Sequence, residues 1–219
     1  MFALVNKSDN SITKIYNGRI GITIGENQYP KTIFTLWTEA ERNAIDIYTI
    51  EMDNSKFKNE QWYNNTDITY SFDGSKAKGS YGDATAKAHA DVNHVWTQEE
   101  IDDGEAPDGT SEGDAKKDDD GNQLITRGLK YILIKKIKDQ AEGELNKTDW
   151  YVIRKTEEDI AIPSTITTHR KAVRTKQAEM ETAITNASDT PALETLYTYT
   201  EQEDGSVTRP LGELPTLED

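Results

Sequence analysis

Three histidines and one run of acids are the first residues in this chain whose types suggest chemistry. A helical metal site sets two ligands four residues apart so that both imidazoles share a face; His89 and His94 are five apart, and no third ligand is patterned around them. They and His169 read as ordinary histidines. The run Asp118-Asp119-Asp120-Gly121-Asn122 has the oxygen-rich look of a calcium loop, which needs ligands at positions one, three, five and twelve with glycine at six. Setting Gly121 at six puts Lys116 at one and Arg127 at twelve, so cations stand at both terminal ligand positions and a solvated loop is the better reading. Gly79-Ser80-Tyr81-Gly82 lacks the order of a nucleophile elbow, and neither a phosphate-cradling lysine loop nor a G-x-G-x-x-G run occurs. Cysteine is absent, which removes thiolate nucleophiles, disulfides and cysteine-held metals. Among 40 acids none lies in an apolar run of the kind that raises a carboxyl pKa, so no acid–base pair stands out. The expectation is a chain that is not an enzyme and has no cofactor and no metal.

Composition points the same way. With 219 residues, 34% of them hydrophobic, and a mean hydropathy of -0.80, the chain has material for small modules with much exposed surface. A net charge of -15 argues against a nucleic-acid partner, because phosphate neutralisation needs clustered Lys and Arg, and against an anionic membrane. No window nears 18 consecutive apolar residues, and Met1-Phe2-Ala3-Leu4-Val5-Asn6 is too short and polar for a signal peptide. A soluble protein made in the cytosol is expected.

The elements that must position any site fall into an α+β arrangement: a small N-terminal antiparallel β-rich docking module over 1–90, an acidic linker or arm over 91–123, a helix-plug-helix module forming a helical hairpin over 124–199, and an acidic extended tail over 200–219. In the first module Phe2-Ala3-Leu4-Val5, Ile12-Thr13-Lys14-Ile15-Tyr16 and Ile20-Gly21-Ile22-Thr23-Ile24 read as strands of a meander, with turn chemistry at 7–11 and a hairpin signal at Asn17-Gly18. Thr38-Glu39-Ala40-Glu41 has the form of a capping box opening a short helix. Ile45 to Ile50 returns to period two, Trp37 and Tyr48 read as core filling, and Ile68, Tyr70 and Phe72 with the Asp73-Gly74 turn read as a hairpin. Residues 91–122 carry twelve acids against two lysines and almost no apolar residue after Ile101, the composition of a linker.

Order resumes at Leu129, where Leu129, Ile132, Leu133, Ile137 and Ala141 draw one helical stripe that Gly143 should end. Thr148 to Arg154 is a short apolar island, within which Trp150 to Ile153 reads as a strand or extended plug. Ile162-Pro163 ends it, and Ser164 or Thr165 should cap a helix reaching Asn186, in which Ile166, Arg170, Val173, Gln177, Met180 and Ile184 recur at alternating spacings of four and three. The rhythm fits a hairpin against 129–141 or a homo-oligomer equally. The residues expected to dock partners are Leu129, Ile132, Leu133, Ile137, Trp150, Tyr151, Ile166, Arg170, Val173, Met180 and Ile184.

Gly128-Leu129-Lys130 through Leu145, Thr148-Asp149-Trp150-Tyr151, Ile162-Pro163 and Thr168-His169-Arg170-Lys171-Ala172-Val173-Arg174 together resemble the C-terminal part of tail and tail-fibre assembly proteins of tailed bacteriophages. In that family a helix precedes a T-D-W motif, then a proline and a helix with the pattern aromatic-x-x-Y-R-x-x-L-R. Arg170 and Arg174 match the two arginines and Val173 takes the leucine place, while His169 stands where tyrosine is usual and Ile166 where tryptophan is common. The match covers about a third of the chain, and the whole chain looks like virion-associated proteins of marine phages. The resemblance implies a structural part of the virion tail, made in the host cytoplasm, that attaches or adapts a fibre or baseplate by docking to other phage tail proteins. An assembly chaperone is the alternative, and a receptor or glycan-binding tip using Trp62, Tyr63 and Tyr81 a further one.

Overall fold

The computed structural model describes residues 1–217 and is α+β, divided into two units, Met1–Thr85 and Ala86–Asp219. In the first unit, strands β1 (Phe2–Asn6), β2 (Ser11–Tyr16), β5 (Ile47–Asp53), β7 (Thr69–Phe72) and β8 (Ala77–Ser80) form a sheet in the order β2-β1-β5-β8-β7. Period-two alternation sends Ala3 and Val5 to one cluster with Tyr48, Ile50, Phe72 and Ala77, and Phe2 and Leu4 to another with Ile22, Ile33, Phe34 and Ile47. The central strands are thus covered on both faces. Capping at Thr38 is as expected: its hydroxyl accepts from the Glu41 amide, and the Glu41 carboxylate accepts from the Thr38 amide at 2.7 Å, opening α1 (Glu39–Asn43).

Two expectations for this unit need correction. The sheet is mixed, because β5 and β8 run parallel, Ile50 facing Ala77; β8 slots between β5 and β7, and no local pattern encodes that non-local pairing. Asn17-Gly18 does not join two paired strands: β3 (Ile22–Ile24) pairs instead with β4 (Asn27–Tyr29) around Gly25. Trp62 and Tyr63, which only the glycan-tip alternative requires to be exposed, are buried, Tyr63 within the short strand β6 (Tyr63–Asn64), and Tyr81 packs against Phe57 with ring centroids 5.0 Å apart.

The second unit opens at Ala86, the last residue of β9 (Thr85–Ala86), and the segment expected to be a linker is a folded lobe. Strands β10 (Val92–Asn93) and β11 (Ile125–Thr126) close its foot, pairing antiparallel, with further bridges from Val95 to Ala115 and from Lys117 to Gln123. Inside it, a second capping box at Thr97 and Glu100 opens α2 (Gln98–Asp102), and Asp118 Oδ1 accepts from the amides of Asp120 at 3.0 Å and Asn122 at 2.8 Å. Hydrogen bonding from Lys116 and from the Thr97 amide holds the Glu100 carboxyl well below the usual carboxylate range. Composition favours disorder here, but side-chain carboxylates that satisfy backbone amides replace a missing apolar core.

Beyond the lobe, α3 (Leu129–Asn146) starts against carbonyls rather than a side-chain cap: Leu129 N donates to Ala88 O and Lys130 N to His89 O, both at 2.9 Å. Gly128 permits this approach, since a Cβ there would meet the Ala90 carbonyl carbon and oxygen at 2.3 Å. The helix runs through Gly143, which was expected to end it, because one glycine costs a helix interior only about 1 kcal/mol. The expected plug is a helix, α4 (Asp149–Glu158), and α5 (Ser164–Asn186) follows with Pro163 at its N-cap in place of a serine or threonine. Packing of α3 on α5 buries Leu129, Leu133, Ile137, Ala141, Ile166, Val173, Met180 and Ile184, each large side chain worth about 1.5–3 kcal/mol of transfer free energy.

The tail is folded too. After α6 (Thr190–Tyr197), capped by Asp189, β12 (Thr200–Glu201) and β13 (Val207–Thr208) make a hairpin, and Leu211 is buried with its amide on Leu196 O at 3.0 Å. The end of the expected extended tail, 218–219, lies outside the described residues.

Candidate docking surface of the helical module

Most of the residues expected to dock partners are spent on the module's own core. Leu129, Leu133, Ile137, Ile166, Val173, Met180 and Ile184 lie within the buried α3–α5 seam, so the heptad rhythm is satisfied inside one chain, as in the hairpin reading. Arg170 is buried as well. Only Ile132 on α3 and Trp150 on α4, 52% and 49% exposed, with half-buried Tyr151, remain open to a partner.

Arg170 explains why α4 forms where a strand was expected. Its Nη1 donates to Leu145 O and to Thr148 Oγ1, both at 2.7 Å, and lies 2.8 Å from Asp149 Oδ1. One side chain of α5 therefore ties the last turn of α3, the second of the two residues between the helices and the first residue of α4. The arrangement suits the helix dipoles, since a cation meets the C-terminal carbonyl of α3 and an anion sits at the N-terminus of α4. Thr148 is 1% exposed and its hydroxyl also donates to Leu145 O at 3.0 Å, closing the turn.

Held at one end, α4 turns most of its surface to solvent and has no buried residue. Trp150, Val152, Ile153 and, just past the helix, Ile160 are exposed. Trp150 and Tyr151 stack with centroids 3.8 Å apart, and the Arg154 guanidinium lies 4.7 Å from the Trp150 ring. A groove of about 410 Å³ between α4, the following loop and α5 is lined by Val152, Ile162, Arg170, Lys171 and Arg174 among others. Sequence reasoning missed Val152, Ile153, Ile160, Lys171 and Arg174 as surface groups; the helical spacing of Trp150, Ile153 and Arg154 was the signal available, hidden by the β-propensity of the run.

The other groups that first suggested chemistry do not converge. His94 Nε2 lies 2.6 Å from Thr126 Oγ1 at the foot of the lobe, while His169 is buried on α5 with its Nε2 unpartnered. Among the described residues no cluster of three or more His, Asp or Glu side chains is placed to hold a metal ion, and no helix is long and apolar enough to cross a membrane. No protein-family model, curated protein or solved structure matches this chain.

Proposed function

We propose that this chain is a structural part of a bacteriophage tail that attaches or positions a fibre or baseplate element, acting in the virion through protein–protein docking by the open face of α4. The observation that carries the reading is a ten-residue helix with no buried residue, holding Trp150, Val152 and Ile153 in solvent while Arg170 braces its start. Short helices owe their stability to packing of an apolar face, and a rigid exposed aromatic beside an arginine has the composition of an interface anchor. The resemblance to tail-assembly proteins adds support, because two of its separate parts, Thr148-Asp149-Trp150 and Arg170, meet in one hydrogen-bonded contact across 22 residues of chain.

Quantitative mass spectrometry of particles purified from cells producing the chain tests the reading. A fixed copy number per particle is expected. Presence during assembly and absence from finished particles would replace it with the chaperone alternative. Of the three aromatics named for the glycan-tip alternative, Trp62 and Tyr63 are buried and Tyr81 is half-buried.

A further inference from the structure

Charge in the second unit is segregated. Residues 91–122 hold twelve acids and two lysines, whereas residues 127–176 hold twelve bases and seven acids. Within the lobe, Asp91 pairs with Arg127 and Glu100 with Lys116, and no other lobe carboxylate has an ion-pair partner among the described residues. On the helices the reverse imbalance appears: Arg154, Lys171 and Arg174 have no carboxylate partner among the described residues, in a chain with 40 acids to 25 bases. Arg154 Nε is moreover buried without an acceptor. Lobe and groove belong to one folded unit, yet their surplus charges do not neutralise each other inside it.

Each patch also has an apolar centre. Lys171 and Arg174, three apart on α5, line the groove together with Val152 and Ile162. On the lobe, Val92 faces Thr126 across the β10–β11 ribbon, and the register extended by His94 N to Leu124 O sets Leu124 on the same face; Val92 and Leu124 are 46% and 41% exposed. A base-lined groove with apolar walls and a lobe that carries twelve acids against two lysines beside an exposed apolar ribbon are complementary in both charge and polarity.

We infer that the groove between α4 and α5 receives the acidic lobe of a second copy of the chain. The two patches differ, so the contact is head-to-tail and each bound copy presents a fresh lobe and a fresh groove. Repetition closes into a ring or continues as a filament, depending on the rotation at each step. The inference rests on the charge pattern and stands whether or not the chain belongs to a phage tail. Long-range repulsion between two chains of net charge -15 opposes association at low salt. At about 0.15 M salt the Debye length is about 8 Å, which screens repulsion between the bodies more than contacts made at the groove.

Sedimentation velocity of the full chain at about 0.15 M salt tests this, with concentration-dependent self-association expected. Lys171→Glu with Arg174→Glu in one variant, and Glu99→Lys with Asp103→Lys in another, should each weaken association about tenfold or more, because exposed residues change sign while the fold persists by circular dichroism. Mixing the two variants should restore a complex, since the first keeps an acidic lobe and the second a basic groove. A wild-type chain that stays monomeric across the accessible concentration range overturns the inference. So does association that survives both sets of substitutions, or variants that fail to complement each other.

Discussion

Replacing Arg170 by methionine should loosen the helical module by about 2 kcal/mol, a figure that follows from its surroundings. The side chain is 10% exposed and gives two hydrogen bonds from a charged donor, each worth about 1.5–3 kcal/mol. The ion pair adds at most about 1 kcal/mol, because the Asp149 side chain is 47% exposed and the aqueous side of the pair is screened. Against these gains stands the desolvation of a guanidinium, a few kcal/mol that methionine does not incur. Neither acceptor is stranded by the change, since Thr148 Oγ1 still donates to Leu145 O and Asp149 still meets water. Arg170→Ala, which also opens a cavity, should cost about 4 kcal/mol. The assay is urea unfolding followed by circular dichroism at 222 nm, with the helical transition fitted separately from that of the β-rich unit. Combined with Thr148→Val, the double-mutant cycle should show a coupling of about 1 kcal/mol. A loss below about 0.5 kcal/mol for Arg170→Met, with additive effects in the cycle, would refute the view that this arginine ties the three helices.

Three other outcomes follow from single features. Gly143→Ala should stabilise α3 by about 0.5–1 kcal/mol in thermal melts, because nothing lies within 4 Å of the added methyl, whereas Gly128→Ala should destabilise the unit by about 1–3 kcal/mol through its clash with the Ala90 backbone. Glu100 has a folded-state pKa below its ordinary value of 4.5, so its contribution to the lobe is complete above that value and is lost as pH falls from 4.5 toward about 2; Asp91 and Asp118 shift in the same direction. Amide exchange across 97–104 should therefore quicken on acidification, and Glu100→Gln should flatten that dependence. Trp150→Ala with Ile153→Ala should leave the melting temperature within a few degrees, because both side chains are about half exposed, while lowering incorporation into particles at least tenfold by immunoblot.

Local signals were legible in the sequence and non-local ones were not. The Thr38 capping box, the Asp73-Gly74 hairpin and the α5 stripe each follow from residues within one or two turns of one another, and each forms. The parallel β5–β8 pair depends on chain returning from 27 residues away, which no window of residues records. The lobe had a readable capping box at Thr97 and Glu100, but the surrounding acid composition argued for disorder; the fold uses those acids as hydrogen-bond acceptors for turns. At 148–154 the aromatic and β-branched run favoured a strand, and Arg170 reversed that preference by anchoring a helix start from another element. The docking residues were misplaced for a related reason: an apolar stripe marks a face that needs covering, and in this chain α5 covers the α3 stripe apart from Ile132 while α4, poorer in pattern, stays open.

The account stands on the open face of α4 being an interface in the assembled particle. Hydroxyl-radical footprinting of Trp150 in the free chain and in purified particles measures that directly. Trp150 should be oxidised readily in the free chain, where it is 49% exposed, and at least several-fold more slowly once assembled, while Trp62, 3% exposed, stays slow in both. Equal oxidation of Trp150 in the two states would contradict it.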